Sequence, residues 1–167
     1  MAITAKGKAN GDAFITFLQA QASITAIVAS GSIKWADHMH PEPVYPTNPR
    51  TELPLLRLRE YVEDVGPGMN IGQAKGDCTY SLWYYRLQVV SQAHQTLLIT
   101  DLETILNVLM TGQNWRPTNL QSVGGQSFYQ ILPQRPVVHD ELRHKFDDPS
   151  LRISVGEIPM RFNTNPM

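Results

Sequence analysis

The sequence predicts an α+β domain in which a mostly antiparallel sheet carries two helices on one face. Three observations lead there. Two amphipathic helical stripes stand far apart in the chain. Between them lie two strand-like runs joined by a glycine-rich connection with no helix in it, and strands joined that way pair most simply antiparallel. Further alternating runs close the sequence, and one sheet face can bury both stripes together. A chain of 167 residues, 42 % of them hydrophobic, suits one domain with one core. No repeat, low-complexity tract or composition shift divides it, so residues 1–167 are expected to form a single domain.

Residues 1–10 are small, polar and aperiodic, as in a loose N-terminal arm. Asn10 or Asp12 is placed to cap "DAFITFLQAQA", in which Phe14, Phe17, Leu18 and Gln21 share one helix face. Ser23 is placed to cap a further turn, "ITAIV", ended by Gly31, with a kink near residue 22. Pro41, Pro43, Pro46 and Pro49 then remove backbone donors, so residues 35–52 are expected to form a stiff arm, neither helix nor central strand. "LPLLRLRE" ends that arm as a strand with Leu56 and Leu58 on one face and Leu55, Arg57 and Arg59 on the other.

"DVGPGMNIGQAKGD" marks residues 61–78 as an extended hairpin loop. It leads into "TYSLWYYRLQVVS", the strongest strand signal, with Trp83, Tyr85, Leu87 and Val89 on one face and Tyr80, Leu82, Tyr84 and Arg86 on the other. "HQTLLITDLETILNVLMTG" carries the second helical stripe, Leu98, Leu102, Ile105, Leu106 and Leu109, before Gly112. Thr100 with Glu103 matches a capping box, which would start that helix at Asp101. "NLQSVGGQSFYQILP" reads as two short strands about Gly124 and Gly125, and "DELRHKF" as one helical turn or a loop. "PSLRISVGEIPMRF" is a last strand through Leu151, Ile153 and Val155, with a polar tail after Pro159.

Composition narrows the function classes. Fourteen Lys and Arg against fifteen Asp and Glu, with no block of either sign, predict neither a DNA-coating surface nor an anionic-membrane binder. The single cysteine, Cys78, excludes an intramolecular disulfide and a multi-cysteine zinc site, and suits a reducing cytoplasm. The N-terminus lacks a signal-peptide core and no window reaches the roughly 18 apolar residues of a membrane span, so a soluble, unexported protein is expected.

The nearest approach to a chemical motif is "DHMH". Asp37, His38 and His40 could ligate a divalent ion, since alternate residues of an extended chain share a side. A closed site needs further ligands, and His94, His139 and His144 stand in unrelated contexts, so solvated loop histidines are the simpler account. Gly66, Gly68 and Gly72 are not followed by the Lys-Ser/Thr pair or helix of a phosphate loop. "SVGGQS" lacks the order of a nucleophile elbow, and the scattered carboxylates give no acid and base pair. Arg57, Arg59 and Arg86 fall on the face away from Leu56, Leu58 and the Trp83 row if the register is simple; a mixed Arg and Tyr face suits a protein interface, or else a solvated outer surface.

Taken in order, residues 10 to 111 resemble the tail terminator or tail completion proteins of long-tailed bacteriophages. The resemblance lies in "FLQAQASITAIVASGSI", with its helix, break, second turn and Gly-containing exit, then the proline-rich approach to "LPLLRLRE", the long loop, "YSLWYYRLQVVS" and the helix "DLETILNVL". It implies a non-enzymatic α+β subunit without a cofactor. Such a subunit closes into a ring, six-fold in that family, at the head-proximal end of the tail tube, ends tube polymerisation and meets the head connector. The implied partners are further copies of the chain, a tail tube protein and a connector or stopper protein, in a virion assembled in the host cytoplasm, with DNA passing through the lumen without specific binding. A head-side stopper or neck protein and a sheath terminator share these features; an enzyme using a metal at His38 and His40 is the alternative of another class. The loops at 35–52 and 61–78 depart from the family in length, so roles pass to elements and not to single positions. Heterologous ring interfaces suit arms that reach a neighbour, which makes Trp35, Val44 and Tyr45 of the arm, Met69 and Ile71 of the hairpin tip, and the three arginines candidate interface residues.

Overall fold

A computed structural model of the chain describes residues 7–36, 49–67, 74–89, 92–110, 121–123, 126–128, 130–134, 136–139 and 151–163. Helix α1 (Gly7–Gln19) and the short α2 (Ala22–Thr25) lead through a 3-10 turn (Ser30–Ser32) into strand β1 (Ile33–Trp35). One turn of helix, α3 (Pro49–Glu52), precedes the hairpin of β2 (Leu55–Pro67) and β3 (Ala74–Val89). Helix α4 (Gln92–Met110) follows, then β4 (Gln121–Val123), β5 (Gln126–Phe128), β6 (Gln130–Pro133), β7 (Val137–His139) and β8 (Leu151–Asn163).

The main sheet runs β1-β2-β3-β8-β6, with β7 also on β8; β4 and β5 pair antiparallel as a separate two-stranded sheet, in line with the two short strands expected there. All main-sheet pairs are antiparallel except β1 with β2. The two main helices lie on one face. Phe14 and Leu18 of α1 and Leu98, Leu102, Ile105 and Leu109 of α4 are buried in one cluster with Leu56, Leu58, Leu82, Tyr84, Ile158 and Met160 of the sheet. Both apolar stripes are therefore satisfied by a single sheet face, and the expected α+β architecture is observed. Gly156 of β8 lets α4 settle: a Cβ there would stand 2.4 Å from Leu102 Cδ2.

Register decides the sheet faces, and it corrects the expected grouping. Leu56 pairs with Tyr84, Leu58 with Leu82 and Arg57 with Trp83. Arg57 and Arg59 therefore share their face with Trp83 and Tyr85, while Arg86 is on the helix-covered face with Tyr84. Odd and even residues exchange faces when pairing moves by one position, and nothing local in either strand sets that offset.

Several boundaries also differ from expectation. Helix α1 begins at Gly7, so Asn10 and Asp12 lie inside it, and the Lys8 ammonium pairs with Asp12 one turn on. Ser23 lies within α2, whose N-cap is Gln21. Helix α4 begins at Gln92, and Thr100 caps nothing; its hydroxyl donates to the Thr96 carbonyl. The supposed loop at 61–78 is largely strand, because β2 and β3 stay paired out to Pro67 opposite Ala74; the antiparallel partner supplies the hydrogen bonds that the glycines alone could not secure. Part of the proline-rich arm is helical, with Pro49 at a first helical position where its missing N–H is harmless. Its start, Ile33–Trp35, is a strand held parallel to Leu56–Leu58. Strand β8 continues past Pro159 to Asn163. That proline falls where the outer neighbour changes from β7 to β6, just past the end of the β6 ladder, and its carbonyl accepts from the Gln134 amide. "DELRHKF" lies outside the described residues.

Candidate functional site

Of the predicted interface residues, Trp35, Arg57, Arg59 and Arg86 are described, and they take separate environments. Trp35 turns inward: its indole Nε1 donates to Asp12 Oδ1 at 2.7 Å and its ring is 6.1 Å from that of Tyr80, centroid to centroid. Helix α1 approaches so closely that a Cβ at Gly11 would lie 2.1 Å from Trp35 Cζ2. Lys8 and then the indole hydrogen bond hold the Asp12 carboxyl below the usual aspartate range. In this subunit Trp35 pins β1 to α1 and is no outward anchor. Val44, Tyr45, Met69, Ile71, His38 and His40 lie outside the described residues. Among the described residues no three His, Cys, Asp or Glu side chains stand close enough to hold a metal.

The arginines take three different environments. Arg57 donates to the Ser32 and Leu56 carbonyls and so ties the 3-10 turn to β2. Arg59, 1 % exposed, lies over the Trp83 ring at 4.4 Å, with Nη1 3.5 Å from the Tyr85 hydroxyl. Around it Trp83 Nε1 donates to Ser81 Oγ at 2.8 Å, and Ser81 donates to Glu157. Leu55, Ile153 and Val155 wall this cluster, which forms a second core on the sheet face away from the helices. An open arginine and tyrosine face is therefore absent at this position; a buried cation stacked on an aromatic replaces it.

Arg86 makes an ion pair with Asp101 of α4, and the Tyr84 hydroxyl donates to the same carboxylate at 2.7 Å. Burial opposes the arginine's charge, yet Tyr84 and Asp101 beside it hold its pKa above the ordinary value. Arg86, Asp101, Ile27 and Leu53 line a cleft of about 380 Å³. The sequence reading missed Asp101, although its signal is present: a lone carboxylate between Leu98 and Leu102, at the border of an apolar stripe. Asp101→Asn is expected to lower stability by about 1–3 kcal/mol, since it leaves a half-buried guanidinium without its counter-charge. Tyr84→Phe, which removes one donor and strands no charge, is expected to cost about 1 kcal/mol; urea unfolding of both variants tests the order, and equal losses would contradict it.

Burial first, then the Asp101 carboxylate, raises the Tyr84 pKa well above the ordinary 10. Burial raises that of Tyr85 as well, against the opposing pull of Arg59. The folded state therefore favours the neutral phenols. The stability they contribute is fully present below about pH 10 and is lost as pH rises through the raised folded values. In an absorbance titration of phenolate, these two tyrosines are expected to ionise after the ordinary range and together with alkaline unfolding. Titration of Tyr84→Phe and Tyr85→Phe with the same late component as the parent would refute the assignment.

No family model matches this sequence, and no curated protein matches it. Among solved structures, the chain is similar to one in the virion of native gene transfer agent (GTA) particle. The identity is 12 %, the match covers 95 % of this chain and 99 % of that one, and the TM-score is 0.46. A likeness at that level carries no argument about function.

Proposed function

We propose that this chain is a structural virion protein of the tail terminator class, a ring at the head-proximal end of a tail tube that ends tube polymerisation and joins the tail to the head connector. The observation that carries the proposal is the order and spacing of residues 10 to 111, which resemble that class and are laid out in space as α1, α2, the 3-10 turn, β2, β3 and α4. In this reading the partners are further copies of the chain, the tube protein and a connector or stopper. No step requires a cofactor or catalysis.

The packing of the arginines fits a subunit built for mechanical integrity. Each clamps one element to another within the subunit: Arg57 the 3-10 turn to β2, Arg59 β2 to β3, and Arg86 β3 to α4. A ring that bears load between head and tail needs rigid subunits whose contacts lie at their margins.

Native mass across a concentration series, with images of the particles, tests the proposal. The expected result is one discrete ring species of about six chains, each of 18.8 kDa. A monomer at every concentration, or an open-ended series of sizes, would count against it.

A further inference from the structure

We propose that the cleft beside Arg86 and Asp101 docks an extended segment of a partner protein, taking one aliphatic side chain together with the peptide group that carries it. This site is independent of the ring proposed above.

The cleft stands where several pieces of chain meet. Ala26, the C-cap of α2, lines it with Ile27; Leu53 and Pro54 line it from the approach to β2, and Arg86 of β3 and Asp101 of α4 supply its polar part. Its volume of about 380 Å³ is at the small end of the roughly 300–1,000 Å³ of ligand sites. It therefore admits a residue of extended chain and no folded element. Aliphatic walls with a few fixed polar groups are the usual make-up of a binding cleft, the walls giving affinity and the polar groups orientation.

The polar part has hydrogen-bonding capacity left over on both members of the ion pair. Arg86 Nη1 and the Tyr84 hydroxyl both donate to Asp101 Oδ2, so Oδ1 of the same carboxylate takes neither bond. On the arginine, Nε is buried with no hydrogen-bond partner, which is rare for a donor in a folded protein. The two side chains are 26 % and 14 % exposed, enough for an incoming group to reach them and too little for water to screen them fully.

Charge decides which group fits. Arg86 and Asp101 cancel, and the other described lining residues are uncharged. A carboxylate or an ammonium brought here adds an unbalanced charge to a half-buried place, at a desolvation cost that a neutral pair does not repay. A peptide group adds none: its carbonyl accepts from the guanidinium and its N–H donates to Asp101 Oδ1. The aliphatic side chain of the same residue lies against Ile27, Leu53 and Pro54 and is removed from water. An apolar molecule without the amide covers both polar groups and leaves them unpaired, which is the costlier arrangement.

The test is a titration followed by the methyl NMR signals of Ile27 and Leu53, with N-acetyl-leucinamide as the probe. The signals are expected to move and to saturate in the millimolar range. Isoamyl alcohol, which keeps the aliphatic group without the amide, and N-acetyl-leucine, which adds a carboxylate, should each bind at least about fivefold more weakly. Lengthening the probe to N-acetyl-glycyl-leucyl-glycinamide should leave the affinity equal or better, as for a segment that passes through an open cleft. Ala26→Trp fills the cleft from an exposed position and should abolish the response with thermal unfolding unchanged. Arg86→Met combined with Asp101→Leu removes both charges and strands neither; it should keep the binding of the alcohol and erase the preference for the amide.

A titration with no saturable response overturns the site, and a response that survives Ala26→Trp places it elsewhere. Equal affinity for isoamyl alcohol makes the cleft apolar only, and tighter binding of N-acetyl-leucine makes it an anion site; each overturns the peptide assignment. A preference for the amide that persists in the double variant removes the ion pair from recognition. Loss of binding on lengthening the probe shows a pocket for a free small amide and overturns the partner segment.

Discussion

Arg59→Ala is expected to lower the unfolding free energy by about 3–5 kcal/mol, within the range for emptying a large buried site and breaking a buried charged network. Arg59 is among the largest fully buried side chains and stacks on Trp83 at 4.4 Å. Alanine removes a desolvated cation–π contact of about 2 kcal/mol and leaves a void beside a rigid ring. Arg59→Met separates the two contributions. A methionine restores most of the volume without the charge, and buried charges replaced by apolar groups of similar size are often tolerated, so about half of the loss should return. Arg59→Lys should recover little, because an ammonium cannot stack flat on the indole. Denaturant unfolding of the three variants decides the matter; an alanine variant within about 0.5 kcal/mol of the parent, the range of ordinary surface changes, would show that the cluster is not a core.

Gly11→Ala should destabilise the protein by about 2 kcal/mol, although helix propensity alone favours alanine over glycine by about 1 kcal/mol. The opposing effect is steric. The new methyl would stand 2.1 and 2.3 Å from Trp35 Cζ2 and Cη2, and an indole cannot flex away as an aliphatic chain can. It is also held by Asp12 on one side and packed near Tyr80 on another. Overpacking of this kind costs roughly 1–3 kcal/mol, and displacement of the ring adds the loss of a hydrogen bond worth about 1 kcal/mol. The pair must be strongly non-additive: in a Trp35→Leu background the same Gly11→Ala change should become neutral or stabilising. A stabilising effect of Gly11→Ala with Trp35 present would mean that β1 does not press on α1 as described.

How much of this was legible beforehand depended on the range of the interaction responsible. The stripe Leu98, Leu102, Ile105 and Leu109 announces a helix because its spacing is a property of the helix itself. The alternation from Tyr80 to Arg86 announces a strand for the same reason. By contrast, Thr100 with Glu103 satisfies a local capping pattern yet lies mid-helix, because continuing the helix keeps Leu98 in the core. Ile33–Trp35 is too short to signal a strand and becomes one only beside Leu56–Leu58. The glycine-rich stretch reads as a loop in sequence, yet β2 and β3 pair into it as far as Pro67 opposite Ala74.

The candidate interface shows the same division more sharply. Residue type and a simple register group Arg57, Arg59 and Arg86 together, but pairing places Arg59 against the Trp83 ring and Arg86 beside Asp101 of α4. Trp35 reads as an exposed anchor within its own segment, and only the approach of α1 through Gly11 encloses it.

By itself, then, the sequence determined the fold class, the principal helices and strands and which helix faces are apolar, because periodicity and turn chemistry act over a few residues. Only the tertiary structure decided the register and the surroundings of the three arginines. Those depend on which distant strands share hydrogen bonds, and a shift of a single residue in that pairing exchanges the two faces of the sheet.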